Sequence, residues 1–177
     1  MWSEQMRAGR GGRAAQIIED TERRFHHGRG YFAVGLDAPR SNINIATVLR
    51  ACGCYGAAML ITRNGQYNPN KCDPLKHWKH MPLIQTPSLK DALPYNCTPI
   101  AVELTEDATP LHEFTHPERA FYIFGPEDGA LDGDTLAWCP HRIMIPTRFC
   151  MNLAVCVNVV LYDRMAKCLA KHSNHTN

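Results

Sequence analysis

Short apolar runs recur along the chain after residue 30, separated by turn-forming residues or by segments with helical periodicity. The five clearest runs read YFAVGL, AAMLI, PIAVEL, AFYIFG and RIMIP. Strands that are buried on both faces of a parallel sheet have this continuous apolar character, and helices usually connect them. The pattern therefore predicts an α/β fold with a mostly parallel sheet flanked by helices.

Four helices are predicted within this pattern, over residues 44–52, 88–93, 133–138 and 152–169. Ser88 and Asp132 stand at positions that suit helix N-caps, since short polar side chains can accept hydrogen bonds from free backbone N–H groups. The last segment is the longest, and its apolar positions share one helical face: Leu153, Val157, Val160, Leu161 and Met165.

Two segments depart from the pattern. Residues 1–30 carry arginines among glycines, with a short helix predicted over 14–25, and suit either a solvated arm or an RNA-contacting one. Residues 64–82 are rich in Asn, Pro and Lys, which predicts a long surface excursion. Its cations and its tryptophan are suited to contact RNA through charge and stacking: Lys71, Lys76, Lys79 and Trp78.

The composition suits one domain. The chain has 177 residues, of which 45% are hydrophobic, so we expect an arm over 1–30, a domain over 31–171 and a flexible tail over 172–177. No membrane span or secretory signal is recognised, so we expect a cytosolic protein without membrane contact. The eight scattered cysteines indicate reduced, mostly buried side chains. The net charge of +2 permits RNA binding without requiring it.

Several common site motifs are absent. No glycine-rich phosphate loop occurs, which disfavours a nicotinamide enzyme or an ATPase, and no serine stands in a nucleophile elbow. Two groups lack a second ligand pair at a recognisable interval, so no metal site is expected: Cys72 with His77 and His80, and His112 with His116.

Three separated segments are individually weak motifs but are specific in combination. The first, PRSNINIATVLRACGCYGA, places Asn44 six positions before Arg50 on a predicted helix. The second, YIFGPEDGALDGDTL, is an apolar run that ends at Gly125 and is followed by Glu127. A glycine at the end of a strand lets the backbone approach a ligand closely.

The third segment, RIMIPTRFCMNLAVCVNVVLYDR, closes an apolar run on Ile145 and Pro146 and brings Asn152 to the start of the last helix. In this order and spacing the three segments resemble those of the SpoU/TrmH family of SPOUT RNA methyltransferases, over most of the chain after Tyr31. The loop before Asn152 is several residues shorter than in many relatives, and Cys150 stands where a serine is common.

The resemblance implies a sheet whose C-terminal part is threaded into a deep trefoil knot, an exception to the rule that chains do not thread their own loops. It also implies that the knot loops bind S-adenosyl-L-methionine and that a homodimer transfers the methyl group to a ribose 2′-hydroxyl of RNA. The donor contacts implied by position are Leu104, Gly125, Ile145, Cys150, Met151 and Leu153.

Four side chains take the catalytic roles that the resemblance implies: Arg50, Asn44, Glu127 and Asn152. Arginine is a poor base because its pKa lies above about 12. We therefore expect Arg50 to grip an RNA phosphate and to favour the developing alkoxide, with the proton acceptor left open. Asn44 and Glu127 are expected to orient the arginine or the ribose, and Asn152 to cap the last helix and position the substrate.

A structured tRNA loop is the favoured substrate, because no appended RNA-binding domain is recognised that would grip a large ribosomal site. The apolar face of the long last helix can form part of an isologous dimer surface, or it can be wholly buried in the core of its own chain. Two alternatives stay open. One is a non-catalytic knotted protein that binds RNA or assists ribosome assembly, and the other is a related methyltransferase that acts on a base nitrogen.

Overall fold

The computed structural model describes residues 12–27, 30–65, 67–68, 72–73 and 76–173. Seven strands in this part of the chain form one sheet: β1 (Phe32–Asp37), β2 (Leu60–Arg63), β3 (Leu83–Thr86), β4 (Thr98–Val102), β5 (Thr109–Pro110), β6 (Ala120–Phe124) and β7 (His141–Met144). Their order is β3-β2-β1-β6-β4-β7-β5, and every neighbouring pair is parallel. The predicted α/β fold with a parallel sheet is confirmed.

The helices with described bounds are α1 (Gly12–His27), α2 (Asn42–Tyr55), α3 (Gly133–Ala137) and α4 (Leu153–Ser173), and α2 and α4 pack on the sheet. Short 3-10 turns occupy His77–Lys79 and Leu111–Glu113. Three parts of the predictions lie outside the described residues: positions 1–11 and 28–29 of the arm, positions 66, 69–71 and 74–75 of the excursion, which include Lys71, and positions 174–177 of the tail. Among the helices that are described, none combines the length and the apolar character that crossing a membrane requires.

The predicted helix over 88–93 is wrong, because this stretch forms consecutive turns. Ser88 Oγ accepts a hydrogen bond from Asp91 N at 3.2 Å, as an N-cap would, but no helix follows. Pro87 and Pro94 bracket the segment, and a residue before proline avoids the helical conformation. The strands β3 and β5 were not anticipated, because one is a half-exposed strand at the sheet edge and the other has only two residues.

Burial differs from the sequence-based expectation in two places. The excursion over 64–82 is not wholly a surface segment, because Asp73 and His77 are buried. The expectation of mostly buried cysteines is also wrong. Three of the eight free cysteines are buried, while Cys54 on α2 and Cys150 in the loop before α4 are exposed.

The core has two parts, one on each face of the sheet. Alternate residues of β1 and β6 point to opposite faces, and both strands are buried along their whole length. On one face the sheet packs against α2 and α4, and on the other Phe121 and Ile123 join a smaller cluster. Gly35 is needed on that second face, because a Cβ there would lie 2.7 Å from the Phe121 ring. Burial on both faces explains the continuous apolar runs.

Local capping directs the chain at the carboxyl edge of the sheet. Ser41 Oγ accepts from Asn44 N at 3.4 Å and caps α2 just after β1. Asp132 accepts from Thr135 N at 2.6 Å, which confirms its predicted role as the N-cap of α3.

β7 lies between β4 and β5, so residues 103–108 that join those two strands cross the end of β7. Threading of the chain into a trefoil knot stays a prediction.

A buried polar network joins α4 to β6. His116 Nε2 lies 2.8 Å from Asp163 Oδ2, and His116 Nδ1 lies 2.6 Å from the Tyr122 hydroxyl. Arg164 donates to that hydroxyl oxygen at 3.1 Å, so the hydroxyl proton is directed to Nδ1 and the Nε2 proton to Asp163. A neutral His116 therefore forms a hydrogen bond with both the Tyr122 hydroxyl and Asp163. Burial disfavours the charged imidazole and lowers the pKa of His116 to about 4.

We expect the free energy of unfolding to fall as the pH drops from about 6.5 towards about 4. The unfolded chain takes up a proton on His116 near the usual histidine pKa, whereas the folded chain takes it up only near 4. This stabilising contribution is therefore complete above about pH 6.5, and at most about 3 kcal/mol is lost below it. Urea unfolding at about pH 7 and at about pH 4.5 measures the loss.

The matched variant is His116→Gln, which keeps a donor for Asp163 and an acceptor for Tyr122 but does not titrate. Its free energy of unfolding should depend less on pH in this window. An identical pH profile in the two proteins would contradict the assigned role of His116.

Candidate active site

A cavity lies at the carboxyl edge of the sheet, where β4, β6 and β7 end close together. Its lining comes from the loops that follow these three strands and from the start of α4. All six residues that the sequence assigned to donor binding line this one cavity: Leu104, Gly125, Ile145, Cys150, Met151 and Leu153. Three segments that are distant in sequence therefore meet at one place.

Gly125 stands where two of these loops approach each other. A Cβ at this position would lie 3.2 Å from Leu131 N and 3.4 Å from Glu103 Oε2. Because the first of these neighbours is backbone, a larger side chain would have to displace the loop or extend into the cavity. The absence of a side chain at Gly125 therefore lets the two loops approach each other closely beside the cavity.

Glu103 is a cavity residue that the sequence reasoning missed. Its Oε1 accepts a hydrogen bond from Leu104 N at 2.9 Å, and its Oε2 accepts one from Leu131 N at 2.8 Å. The carboxylate therefore ties the loop after β4 to the loop after β6. A signal was present in the sequence, because this glutamate interrupts the apolar run PIAVEL at the carboxyl end of a buried strand.

Three of the four side chains that were assigned catalytic roles come together at the rim of the cavity. Glu127 accepts hydrogen bonds from the backbone N–H groups of Arg40 (2.9 Å) and Ser41 (3.1 Å) and from Asn44 Nδ2 (2.7 Å). Asn152 Nδ2 donates to Asn44 Oδ1 at 3.2 Å. The hydrogen bonds among Glu127, Asn44 and Asn152 thus connect the loop after β6, the start of α2 and the start of α4.

The electrostatics of this cluster favour a charged carboxylate. Burial by itself would raise the pKa of Glu127, but hydrogen bonds from Arg40 N–H, Asn44 and Ser41 N–H lower it overall. Asn152 Oδ1 accepts from the N–H groups of residues 154 and 155, at 2.9 and 3.3 Å, which confirms its predicted capping role. The amide of Asn44 is held at both ends, so its orientation is fixed.

Arg50 lies apart from this cluster. It follows Asn44 by six residues, which turns it by about 240° and moves it about 9 Å along an ideal helix. Its side chain is exposed and lines a second cavity with His77 and His80. It forms no ion pair within the described part of the chain, and Glu127 contacts Asn44 instead.

The parallel sheet and the cavity at its carboxyl edge define an α/β protein that holds a ligand where adjacent strands end. The model of the SpoU rRNA Methylase family matches residues 31–162, and the chain belongs to this family. No curated protein matches the chain.

Solved structures with the same fold include members of this family. The SpoU methyltransferase AviRb from Streptomyces viridochromogenes, in complex with AdoMet, is 18% identical with a TM-score of 0.66, over 79% of this chain and 61% of that one. This chain thus spans about three fifths of AviRb. The A. aeolicus TrmH/SpoU tRNA modifying enzyme is 14% identical with a TM-score of 0.71, over 89% and 86%.

A third structure was solved in work on the 2-OH methylation of C/U34 on tRNA. It is 25% identical to this chain with a TM-score of 0.66. The alignment covers 80% of this chain and 97% of that one, so the two chains share nearly the whole of the shorter fold.

Proposed function

We propose that this chain transfers a methyl group from S-adenosyl-L-methionine to a ribose 2′-hydroxyl of RNA. The observation that carries the proposal is the hydrogen-bonded chain of Glu127, Asn44 and Asn152 at the rim of a cavity built from three distant segments. Membership of the SpoU rRNA Methylase family supports RNA methylation. The AviRb structure with AdoMet supports S-adenosyl-L-methionine as the methyl donor.

The residues of the cavity fit this donor. Leu104, Ile145 and Leu153 supply apolar walls suited to an adenine ring, and Gly125 leaves the space between the loops open. Glu103, with Glu127 at the rim, adds carboxylates to the lining, and negative charge favours a cationic sulfonium. When bound, the donor supplies an electrophilic methyl group.

The residues of this chain act chiefly by positioning. Holding two reactants in line contributes up to about 7–11 kcal/mol to acceleration. Asn44 and Asn152, fixed by each other and by Glu127, orient the ribose hydroxyl at the rim of the cavity. Arg50 holds the adjacent phosphate from the exposed side of α2, where its guanidinium is available for paired hydrogen bonds.

We propose tRNA as the substrate and the cytosol as the location. The 2′-hydroxyl distinguishes RNA from DNA. Two of the similar structures concern tRNA, and one of these concerns 2-OH methylation.

We propose that the chain works as a homodimer. Val155 and Tyr162 are 50% and 57% exposed, and they lie seven positions apart on one face of α4. Ile43 on the neighbouring helix α2 is 67% exposed. A second copy would bury this apolar surface. Analytical ultracentrifugation should give about twice the chain mass of 19.9 kDa, and a monomer at the concentrations that support activity would contradict the proposal.

Methyl transfer to bulk tRNA tests the function. The chain is incubated with tRNA and a donor that carries an isotopically labelled methyl group, and the digested nucleosides are identified by mass spectrometry. The label is expected on ribose, and Asn44→Ala serves as the inactive control because it removes both amide contacts. Label on a base would contradict the ribose assignment. No label in any RNA fraction would favour the non-catalytic alternative.

A further inference from the structure

The short turn His77–Lys79 is held firmly against α2. His77 Nδ1 and Asp73 Oδ1 lie 3.0 Å apart, and both side chains are buried. A Cβ on Gly53 of α2 would lie 4.0 Å from His77 Cδ2, so the turn packs closely on the helix. The position of Trp78, between the two ends of this turn, is therefore set by buried contacts.

A recess opens beside this turn. Its lining is apolar and aromatic with a single amide: Tyr67, Trp78, Met81, Pro82, Leu83 and Gln85. Trp78 is 38% exposed, so part of this residue is accessible to solvent at the recess. Met81 also lines the cavity of Arg50. The recess and the site of Arg50 therefore share a wall and open on neighbouring surfaces.

The segment of the chain that forms the recess is rich in cationic residues. Residues 64–90 contain four lysines and two histidines but a single acidic residue, Asp73, which is buried against His77. Lys76 and Lys79 are exposed, and Lys79 Nζ lies 5.5 Å from the centre of the Trp78 ring. An aromatic recess with exposed lysines at neighbouring chain positions complements single-stranded nucleic acid, whose bases stack and whose phosphates carry the charge.

We propose that this recess binds a nucleobase of the substrate RNA, stacked on Trp78, with Lys76 and Lys79 on the adjacent phosphates. The proposal rests on the proposed function, since it places this base close to the phosphate that Arg50 holds. The bound nucleotide is a neighbour of the one that is methylated. The recess thus contributes to the choice of RNA and stands apart from the cavity for the methyl donor.

Substitution of Trp78 tests the stacking. Trp78→Ala should weaken binding of the substrate tRNA by about tenfold to a hundredfold, and Trp78→Phe by less, because a ring is kept. The control is Tyr95→Ala, which removes an aromatic ring that is 86% exposed just before β4, a strand separated from β3 and the recess by three other strands. Equal affinities for wild type, Trp78→Ala and Tyr95→Ala would overturn the proposal.

A fluorescence measurement on the intact fold reports the contact directly. The chain has three tryptophans, so Trp2→Phe with Trp138→Phe leaves Trp78 as the only one. An oligoribonucleotide with an unpaired loop should quench this emission in a saturable way. Emission that does not change at RNA concentrations that saturate binding would overturn the proposal, even if Trp78→Ala proved unstable.

The lysines are tested through the salt dependence of binding. Lys76→Gln and Lys79→Gln should each make the plot of log affinity against log salt shallower by about 0.7, the value for one phosphate contact on a single strand. An unchanged slope would exclude these lysines from the interface. Failure of the proposed function can be distinguished from failure of this proposal. The proposed function would fail if the wild-type chain did not bind the donor or did not transfer the methyl group. The RNA-binding measurements depend on neither of these readouts.

Discussion

Replacing Arg50 by alanine is expected to lower methyl transfer about a hundredfold, because the ribose would no longer be aligned through the adjacent phosphate and a misplacement of about 1 Å can cost this much. The affinity for S-adenosyl-L-methionine should stay close to that of the wild type, because Arg50 does not line the donor cavity. The fold should also tolerate the change, because the side chain is exposed. Single-turnover rates with the substrate tRNA measure the effect.

Arg50→Lys is the matched variant. Lysine keeps the positive charge but lacks the planar fork that binds a phosphate through paired hydrogen bonds. Its rate should lie between those of the wild type and Arg50→Ala. A wild-type rate from Arg50→Ala would remove this residue from the mechanism and leave the donor cavity unaffected.

Glu127→Gln is expected to have the second largest effect. The carboxylate accepts from two backbone N–H groups and from Asn44 Nδ2. An amide at this position must point its own N–H group at one of those donors. The loss of hydrogen bonds to a charged group corresponds to about 1.5–3 kcal/mol, so activity should fall about tenfold to a hundredfold. Unlike Arg50→Ala, this variant should also bind the donor more weakly, because Glu127 lines the cavity.

The control for Glu127→Gln is Asp128→Asn, one residue further along the same loop. Asp128 Oδ1 lies 2.6 Å from Arg40 Nε, but both side chains are largely exposed. An exposed ion pair contributes at most about 1 kcal/mol, so donor affinity and rate should change little. Equal losses in the two variants would mean that the charge of the loop matters rather than the hydrogen bonds of Glu127.

Much of the fold could be predicted because the central strands are buried on both faces. β1 and β6 are buried at every position and are apolar toward either face except at Asp37, the last residue of β1, and this produces runs that stand out in the sequence. The half-exposed strand β3 and the two-residue strand β5 lack such a signal. Their pairing depends on neighbours that are distant in the chain, which local patterns do not report.

The site could be predicted in composition but not in arrangement. The motifs identified Asn44, Glu127 and Asn152, and the structure adds the hydrogen bonds that connect them. Glu103 left a signal in the sequence as a carboxylate at the end of a buried strand, but its hydrogen-bond partners lie in loops whose approach depends on the whole sheet. The separation of Arg50 from this cluster follows from helical geometry, because the spacing of a motif along the sequence does not report the rotation of about 240° that six residues of α2 produce.

The central claim is that three distant segments of this chain form a binding site for S-adenosyl-L-methionine. Isothermal titration of the donor into the purified chain tests it most directly, without depending on the identity of the RNA. The account predicts saturable binding with about one donor per chain, and much weaker binding when Gly125→Val fills the space between the loops. Absence of saturable binding, or equal binding by the valine variant, would contradict it.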